Sequence, residues 1–141
     1  MGIPSIPATR GPIRDVADVD LLVRRFYQAV IPDPILGPIF HGFGVDWSVH
    51  IPKLVDFWAN RLLGVEGYVG NAVAAHQPVL DRFPFGAREL DRWLELWRET
   101  VDELFVGEVA ELAKHRAGSA AAAIGTLVRR HGGRAAAALR A

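Results

Sequence analysis

The stretch DWSVHIPKLVDFWANRLLG, residues 46–64, carries a helical repeat of apolar side chains with an unusually aromatic face. Asp46 is a suitable N-cap, because its carboxylate can accept a hydrogen bond from the first turn, and Gly64 ends the pattern. The stretch therefore predicts an amphipathic helix that buries this face. The apolar positions, which recur about every 3.6 residues, are Trp47, Ile51, Leu54, Val55, Trp58 and Leu62.

Two further segments are predicted on the N-terminal side. From Asp18, a second suitable N-cap, apolar residues recur at helical spacing as far as Val30, and Pro32 and Pro34 stop the pattern. Residues 35–40 are predicted to form one short turn. Glycine makes residues 41–45 a flexible loop.

The C-terminal side predicts three more segments. A short helix over residues 71–76 is interrupted near Pro78, and an irregular stretch follows as far as Pro84. A wide apolar stripe predicts a helix over residues 87–105, and a last helix over residues 108–130 is ended by Gly132 and Gly133. Because no segment alternates with a period of two residues for long, the fold class is all-α.

The length of the chain predicts a single domain, since chains of roughly 100–200 residues usually form one core. Residues 1–17 are rich in proline and glycine and lack periodicity, which predicts a flexible N-terminal arm. The domain itself is predicted over residues 18–132. Residues 133–141 are expected to form a C-terminal tail.

Composition narrows the class of protein. The chain is 50% hydrophobic and 23% charged, and its 16 basic residues balance 16 acidic ones, which excludes a disordered chain and a polybasic nucleic-acid arm. No stretch reaches the ~20 apolar residues that span a bilayer, and the N-terminus lacks a secretory signal. The absence of cysteine excludes disulfides, thiol catalysis and covalent haem attachment. We expect a cytoplasmic protein with neither nucleic acid nor membrane as partner.

The histidines are His41, His50, His76, His115 and His131. None is paired at the i, i+4 spacing of a helical zinc site, so a structural zinc is not expected. Alone, His50 and His76 are most simply ordinary half-buried histidines. Together, an aromatic helix bearing His50 and a broken helix bearing His76 supply what an iron porphyrin requires. These requirements are an imidazole on one face, a helix covering the other and a large apolar slot between them.

Three aromatic residues are further candidates. Tyr27 lies in the apolar stripe of the first helix, where its hydroxyl needs a hydrogen-bond partner if it is buried. Trp93 and Trp97 lie one helical turn apart on one face, and both have core filling as their simplest interpretation. No Ser-His-Asp order or pair of carboxylates indicates a hydrolase.

A set of ordered motifs over residues 21–127 resembles the group III truncated haemoglobins. No single motif is specific, but the aromatic and histidine positions recur together and in order. They are Phe26-Tyr27, Leu36-Gly37-Pro38-Ile39-Phe40, Trp47 with His50, Phe57-Trp58, Leu62-Leu63-Gly64, Tyr68 with Gly70, His76, and Trp93-Leu94.

The resemblance implies a shortened globin, with helices packed two over two around haem b and His76 as the proximal iron ligand. It implies that Tyr27, His50 and Trp93 surround a bound diatomic ligand and that Lys53 contacts a propionate. We also expect Leu54, Phe57 and Trp93 to contact the haem, and Phe26 to lie beside Tyr27 at the ligand. The segment before Trp93 is long, and a rotation of its helix by one turn would bring Trp97 into the pocket instead.

Three classes of function follow. The first is a haem protein that binds O₂, CO or NO tightly at a pentacoordinate or His50-gated iron, which fits poorly with bulk oxygen transport. The second is a haem redox enzyme, peroxidase-like or NO-converting, which acts on peroxide or nitrogen oxides and needs a reductase as electron source. The third is a helical interaction module without cofactor.

Overall fold

The computed structural model describes residues 10–68, 70–82 and 85–140. These residues form helices and no strand, which confirms the all-α prediction, and none of the helices is long and apolar enough to cross a membrane. The helices are α1 (Val16–Val30), α2 (Gly37–Phe43), α3 (Trp47–Leu63), α4 (Ala72–Ala75), α5 (Gln77–Arg82), α6 (Ala87–Leu104) and α7 (Glu108–Arg140).

Four helices form the body of the protein. α1 packs against α3, α6 packs against α7, and the two pairs meet through α1 with α6 and through α3 with α7. This arrangement is the predicted sandwich of two helices over two. Its core is apolar, and its largest fully buried side chains include Trp97 and Phe26, at the contact of α6 with α1.

The first helix begins earlier than predicted. Its N-cap is Asp15, whose carboxylate accepts a hydrogen bond from the Asp18 N–H at 3.0 Å. The prediction of Asp18 as the cap is therefore wrong, because two aspartates three residues apart can both cap and the local spacing does not choose between them. Asp18 instead accepts a hydrogen bond from the Arg14 N–H.

The segment before α3 is more helical than expected. α2 extends through Phe43, so the prediction of a loop over residues 41–45 is wrong, and the connection is confined to Gly44 and Val45. Gly44 adopts the left-handed conformation with φ of 72°, which favours glycine. The limits of α3 are confirmed, since Asp46 accepts a hydrogen bond from the Ser48 N–H and Gly64 is the C-cap.

The two halves of the broken helix meet at His76, between α4 and α5, and not at Pro78. Pro78 is the second residue of α5, where a missing N–H costs little. The prediction of an irregular stretch after Pro78 is wrong as far as Arg82, because these residues belong to α5, and residues 83–84 lie outside the described residues. α6 ends one residue before the predicted limit, with Phe105 as its C-cap.

The last helix is longer than predicted. α7 continues through Gly132 and Gly133 to Arg140, so the prediction that these glycines end it is wrong. A glycine terminates a helix through the left-handed conformation, and neither residue has a positive φ. The alanines of residues 135–138, which favour helix, follow directly.

The segment before α1 is attached to the body. The Val106 N–H donates to the Gly11 carbonyl at 3.0 Å, and Gly11 forms an isolated bridge with Phe105. Ile13 is buried in the core. Residues 10–13 thus lie against the end of α6, while residues 1–9 of the predicted arm lie outside the described residues.

We expect Gly37→Ala to destabilise the fold by about 2 kcal/mol, the usual cost of overpacking. A Cβ on Gly37 would lie 2.5 Å from the Ile31 carbonyl oxygen, which is backbone and cannot rotate away. Urea unfolding measures the change. The matched control is Gly118→Ala in α7, where the nearest atom is 3.9 Å away on the flexible Arg98 side chain. This control should gain up to about 1 kcal/mol from helix propensity; equal losses in the two variants would contradict the argument.

Candidate functional site

Tyr27 lies at the centre of a cluster of aromatic side chains. It projects from α1, is 7% exposed, and its ring centroid lies 5.1 Å from that of Trp47 and 5.9 Å from that of His50. Burial raises the pKa of Tyr27 well above its ordinary value, an effect that hydrogen bonding from the nearby Trp93 side chain only partly offsets. The phenol therefore stays protonated and keeps its proton as a donor.

The two tryptophans of α6 have different surroundings. Trp97 is 1% exposed, and its indole N–H donates to the Ala113 carbonyl of α7 at 3.1 Å. Its ring stacks on Trp58, with centroids 4.4 Å apart. Trp93 is half-buried, and its ring lies 5.9 Å from that of Phe26, the neighbour of Tyr27. The structure thus brings Trp93 to the aromatic cluster and commits the N–H of Trp97 to the core.

His50 lies on the first turns of α3 and faces the same cluster. Its ring is 6.4 Å from that of Phe40 and 5.6 Å from that of Trp47. Burial lowers the pKa of His50, and electrostatic interaction with Lys53 and with the protonated form of His76 lowers it further. His50 is therefore a neutral imidazole at neutral pH.

His76 lies at the junction of α4 and α5. Its Nδ1 is 2.6 Å from the Ala72 carbonyl oxygen. Because a carbonyl only accepts, Nδ1 carries the proton and Nε2 carries the lone pair. Burial lowers the pKa of His76, although the hydrogen bond to Ala72 opposes this shift. The result is a neutral imidazole of fixed orientation that offers Nε2, as a metal-ligating histidine does.

The other predicted contact residues occupy different positions. Leu54 is half-buried one turn after His50, and Lys53 beside it is exposed. Phe57 is half-buried, and its ring contacts that of Tyr68 at 5.1 Å. Phe26 is fully buried, with Tyr27 on one side and Trp97 on the other. The structure brings Leu54 to the His50 face of α3 and places Phe26 in the core behind Tyr27.

A cavity of about 370 Å³ opens between α3, α4 and α7. Phe57 and Ala72, two residues of or beside the candidate site, contribute to its wall. The lining residues are Phe57, Trp58, Arg61, Gly70, Asn71, Ala72, Arg116, Ser119 and Ala120.

The donor set fits a haem. Among the described residues, no group of three or more His, Asp or Glu side chains is placed to hold a metal ion by itself. A single imidazole with a free Nε2 suits an ion whose remaining ligands belong to a macrocycle. Tyr27, Trp93 and His50 provide polar hydrogen atoms and a neutral ring nitrogen, and the surroundings of these groups are aromatic and aliphatic.

Sequence reasoning missed one polar pair beside this cluster, that of Asp33 with Arg92. Both the Nε and the Nη2 of Arg92 lie 2.8 Å from Asp33 Oδ1. The other carboxylate oxygen accepts hydrogen bonds from the Ile35 and Leu36 N–H groups, at 3.0 Å each. An aspartate between two prolines signals a turn, but nothing in the sequence indicates a partner 59 residues away.

Asp33 is ionised in this setting. Burial, the largest influence, opposes ionisation, but the Leu36 N–H, the Arg92 guanidinium and the Ile35 N–H outweigh it and hold the pKa of Asp33 below its ordinary value. A carboxyl group with a lowered pKa stabilises the fold above its unfolded-state pKa. This stabilisation is lost only as the pH falls through the lower, folded-state value.

The helix packing and the site together define a truncated globin. The group 3 truncated haemoglobin ctb of Campylobacter jejuni is 32% identical over 116 residues, which are 79% of this chain and 89% of that protein. The crystal structure of group III truncated haemoglobin from Campylobacter jejuni matches with a TM-score of 0.75 at 28% identity, over 85% of this chain and 95% of that one. No protein-family model matches the chain. The chain belongs to the group III truncated haemoglobins.

The different surroundings of the two tryptophans predict different costs of substitution. Trp97→Phe removes the hydrogen bond to Ala113 and leaves space in the core, and we expect a loss of about 2 kcal/mol in the free energy of unfolding. Trp93→Phe, at a half-buried position, should cost less than about 1 kcal/mol. Urea unfolding of both variants measures the difference. A larger loss in Trp93→Phe would show that Trp93 is the core residue.

Proposed function

We propose that the chain binds haem b through His76 Nε2 and holds small ligands beside Tyr27, Trp93 and His50. The observation that carries this proposal is the hydrogen bond from His76 Nδ1 to the Ala72 carbonyl, which leaves Nε2 available in a neutral, half-buried ring. When bound, the haem supplies an iron atom with a further coordination position for O₂, CO or NO. Membership of a globin family, whose members normally bind haem, argues against the cofactor-free interaction module.

Tyr27 is the residue best placed to stabilise a polar ligand. Its ring is held by contacts with Trp47 and His50, and its hydroxyl carries a proton that it can donate. Its high pKa keeps that proton in place. A hydrogen bond made inside a dry, aromatic pocket is stronger than one made in water, and this favours slow release of the ligand. Tight retention favours ligand binding or detoxification over bulk oxygen transport.

A redox activity is the second candidate function. The observation that favours it is the position of the His50 ring beside Tyr27. A neutral imidazole beside a protonated phenol can accept a proton and return it, as general acid–base chemistry on a peroxide requires. Such an activity, peroxidase-like or NO-converting, needs electrons from a reductase. The absence of cysteine is compatible with a reducing cytoplasm, where we propose that the protein works.

Substitution of His76 tests the cofactor proposal. We expect His76→Ala to lose stable haem binding in an absorbance titration, because the substitution removes the imidazole nitrogen that we propose as the iron ligand, and added imidazole should restore part of the spectrum. The control is His115→Ala, at an exposed position of α7, which should take up haem as the parent does. An unchanged five-coordinate ferrous spectrum in His76→Ala would refute the assignment.

Substitution of Tyr27 tests the ligand proposal. Tyr27→Phe removes only the hydroxyl, and the lost hydrogen bond, worth about 1–1.5 kcal/mol, should speed O₂ release roughly tenfold in a stopped-flow measurement. Tyr68→Phe is the matched control, since Tyr68 contacts Phe57 and lies outside the aromatic cluster around Tyr27. An O₂ dissociation rate for Tyr27→Phe within about twofold of the parent would reject the role.

A further inference from the structure

Helices α2 and α6 both contribute aromatic side chains to the surroundings of Tyr27. The Asp33 carboxylate forms hydrogen bonds with the start of α2 and with Arg92 of α6. The Tyr27 ring contacts Phe40 of α2, at 5.7 Å between ring centroids, and Trp93 of α6 contacts the neighbouring Phe26 ring at 5.9 Å. α1, which carries Tyr27, is followed directly by the turn that contains Asp33. The relative position of α2 and α6 therefore sets the width of the pocket around the Tyr27 hydroxyl.

Asp33 fixes the α2 side through three hydrogen bonds. Its Oδ2 accepts from the Ile35 and Leu36 N–H groups, and its backbone carbonyl accepts from the Gly37 N–H at 2.8 Å. These bonds hold the start of α2, and Phe40 follows within the first turn. α2 has no side-chain bond from its own N-cap residue, Leu36. Asp33, three residues before the N-cap residue Leu36, thus caps the N-terminus of α2.

The same carboxylate fixes the α6 side through Arg92. Two of the three guanidinium nitrogens of Arg92, Nε and Nη2, lie 2.8 Å from Asp33 Oδ1. These two contacts hold the planar guanidinium in one orientation. Arg92 immediately precedes Trp93 in the helix. The Asp33 side chain is only 2% exposed and the Arg92 side chain 30%, so solvent reaches this pair from the arginine side. Glu95, one turn further along α6, holds the guanidinium from its exposed side.

We propose that Asp33 and Arg92 are positioning residues of the ligand pocket, which set the place of the Trp93 indole relative to Tyr27 and Phe40. They do not touch the ligand. They act by fixing the Trp93 indole in the wall of the pocket, next to Phe26 and near Tyr27. The inference about ligands rests on the proposed function, whereas the inference about Trp93 does not.

The test compares Asp33→Asn with a matched pair that joins the same two helices. Asp33→Asn keeps the shape of the side chain and removes its charge, so the bond to Arg92 weakens. The control is Glu103→Gln, which weakens the exposed ion pair of Arg25 with Glu103, a bond of 3.0 Å between α1 and α6 away from the pocket. A general loosening of α1 from α6 would affect both variants, but a positioning role affects only Asp33→Asn.

The first measurement needs no haem. In a ¹H–¹⁵N NMR spectrum of the haem-free protein, the indole N–H resonance of Trp93 should shift in Asp33→Asn and stay in place in Glu103→Gln. The resonance of Trp97, bonded to Ala113, is the internal reference. An unmoved Trp93 resonance in Asp33→Asn overturns the proposal, whether or not the protein binds haem.

The second measurement uses the haem-loaded protein. The C–O stretching band of the CO complex should shift or split in Asp33→Asn, and O₂ release should be about fivefold faster, a change of roughly 1 kcal/mol. In a Trp93→Phe background the effect of Asp33→Asn on O₂ release should shrink, because Asp33 acts through the placement of the Trp93 indole. An undiminished effect in that background overturns the proposal. A parent protein that takes up no haem contradicts the proposed function alone.

Arg92→Lys keeps the test decisive if Asp33→Asn does not fold. Lysine retains the charge but replaces the planar fork with a single donor point, so it should shift the Trp93 resonance and the C–O band away from their positions in the parent protein. Glu95→Gln, which weakens only the outer bond of Arg92, is its control and should leave both signals unchanged. Equal shifts in Arg92→Lys and Glu95→Gln would show that the orientation of Arg92 does not matter, and the proposal would fail.

Discussion

The contact of α6 with α1 places Trp93 and Trp97 against Phe26, at 5.9 Å and 5.0 Å between ring centroids, and the geometry of the pocket depends on it. Tyr27, next to Phe26 in α1, is 7% exposed, and burial keeps its hydroxyl protonated. Trp97 commits its N–H to the Ala113 carbonyl, whereas Tyr27 keeps a proton that it can donate. The packing of two helices thus determines which hydrogen atom in the pocket remains available to a ligand.

Two other polar groups near the site follow the same physical rule. His76 uses Nδ1 on the Ala72 carbonyl and keeps Nε2, and Asp33 divides its two oxygens between the start of α2 and Arg92. In each case one atom of the group is committed to the protein, which fixes the orientation of the rest. Buried polar groups are costly unless they are bonded, and these bonds also hold the site in one arrangement.

Much of the fold was predictable because its pattern is local. The limits of α3 follow from Asp46, Gly64 and the apolar repeat between them, and α6 ends within one residue of the predicted position. The predictions of helix limits were wrong where two local conformations of the chain have similar free energies. Asp15 and Asp18 both cap well, and Gly132 lies in helix because the alanines that follow it favour helix more than the glycines oppose it.

The sequence by itself determined the all-α class, the aromatic face of α3 and the residues that compose the pocket, since periodicity and side-chain chemistry are properties of short stretches. The tertiary structure alone decided that Trp93 meets Tyr27 while Trp97 donates to Ala113, because both tryptophans share one face of α6 and only the neighbouring helices distinguish them. It alone also paired Asp33 with Arg92. Contacts between distant residues depend on how the helices pack, and a linear pattern does not contain that information.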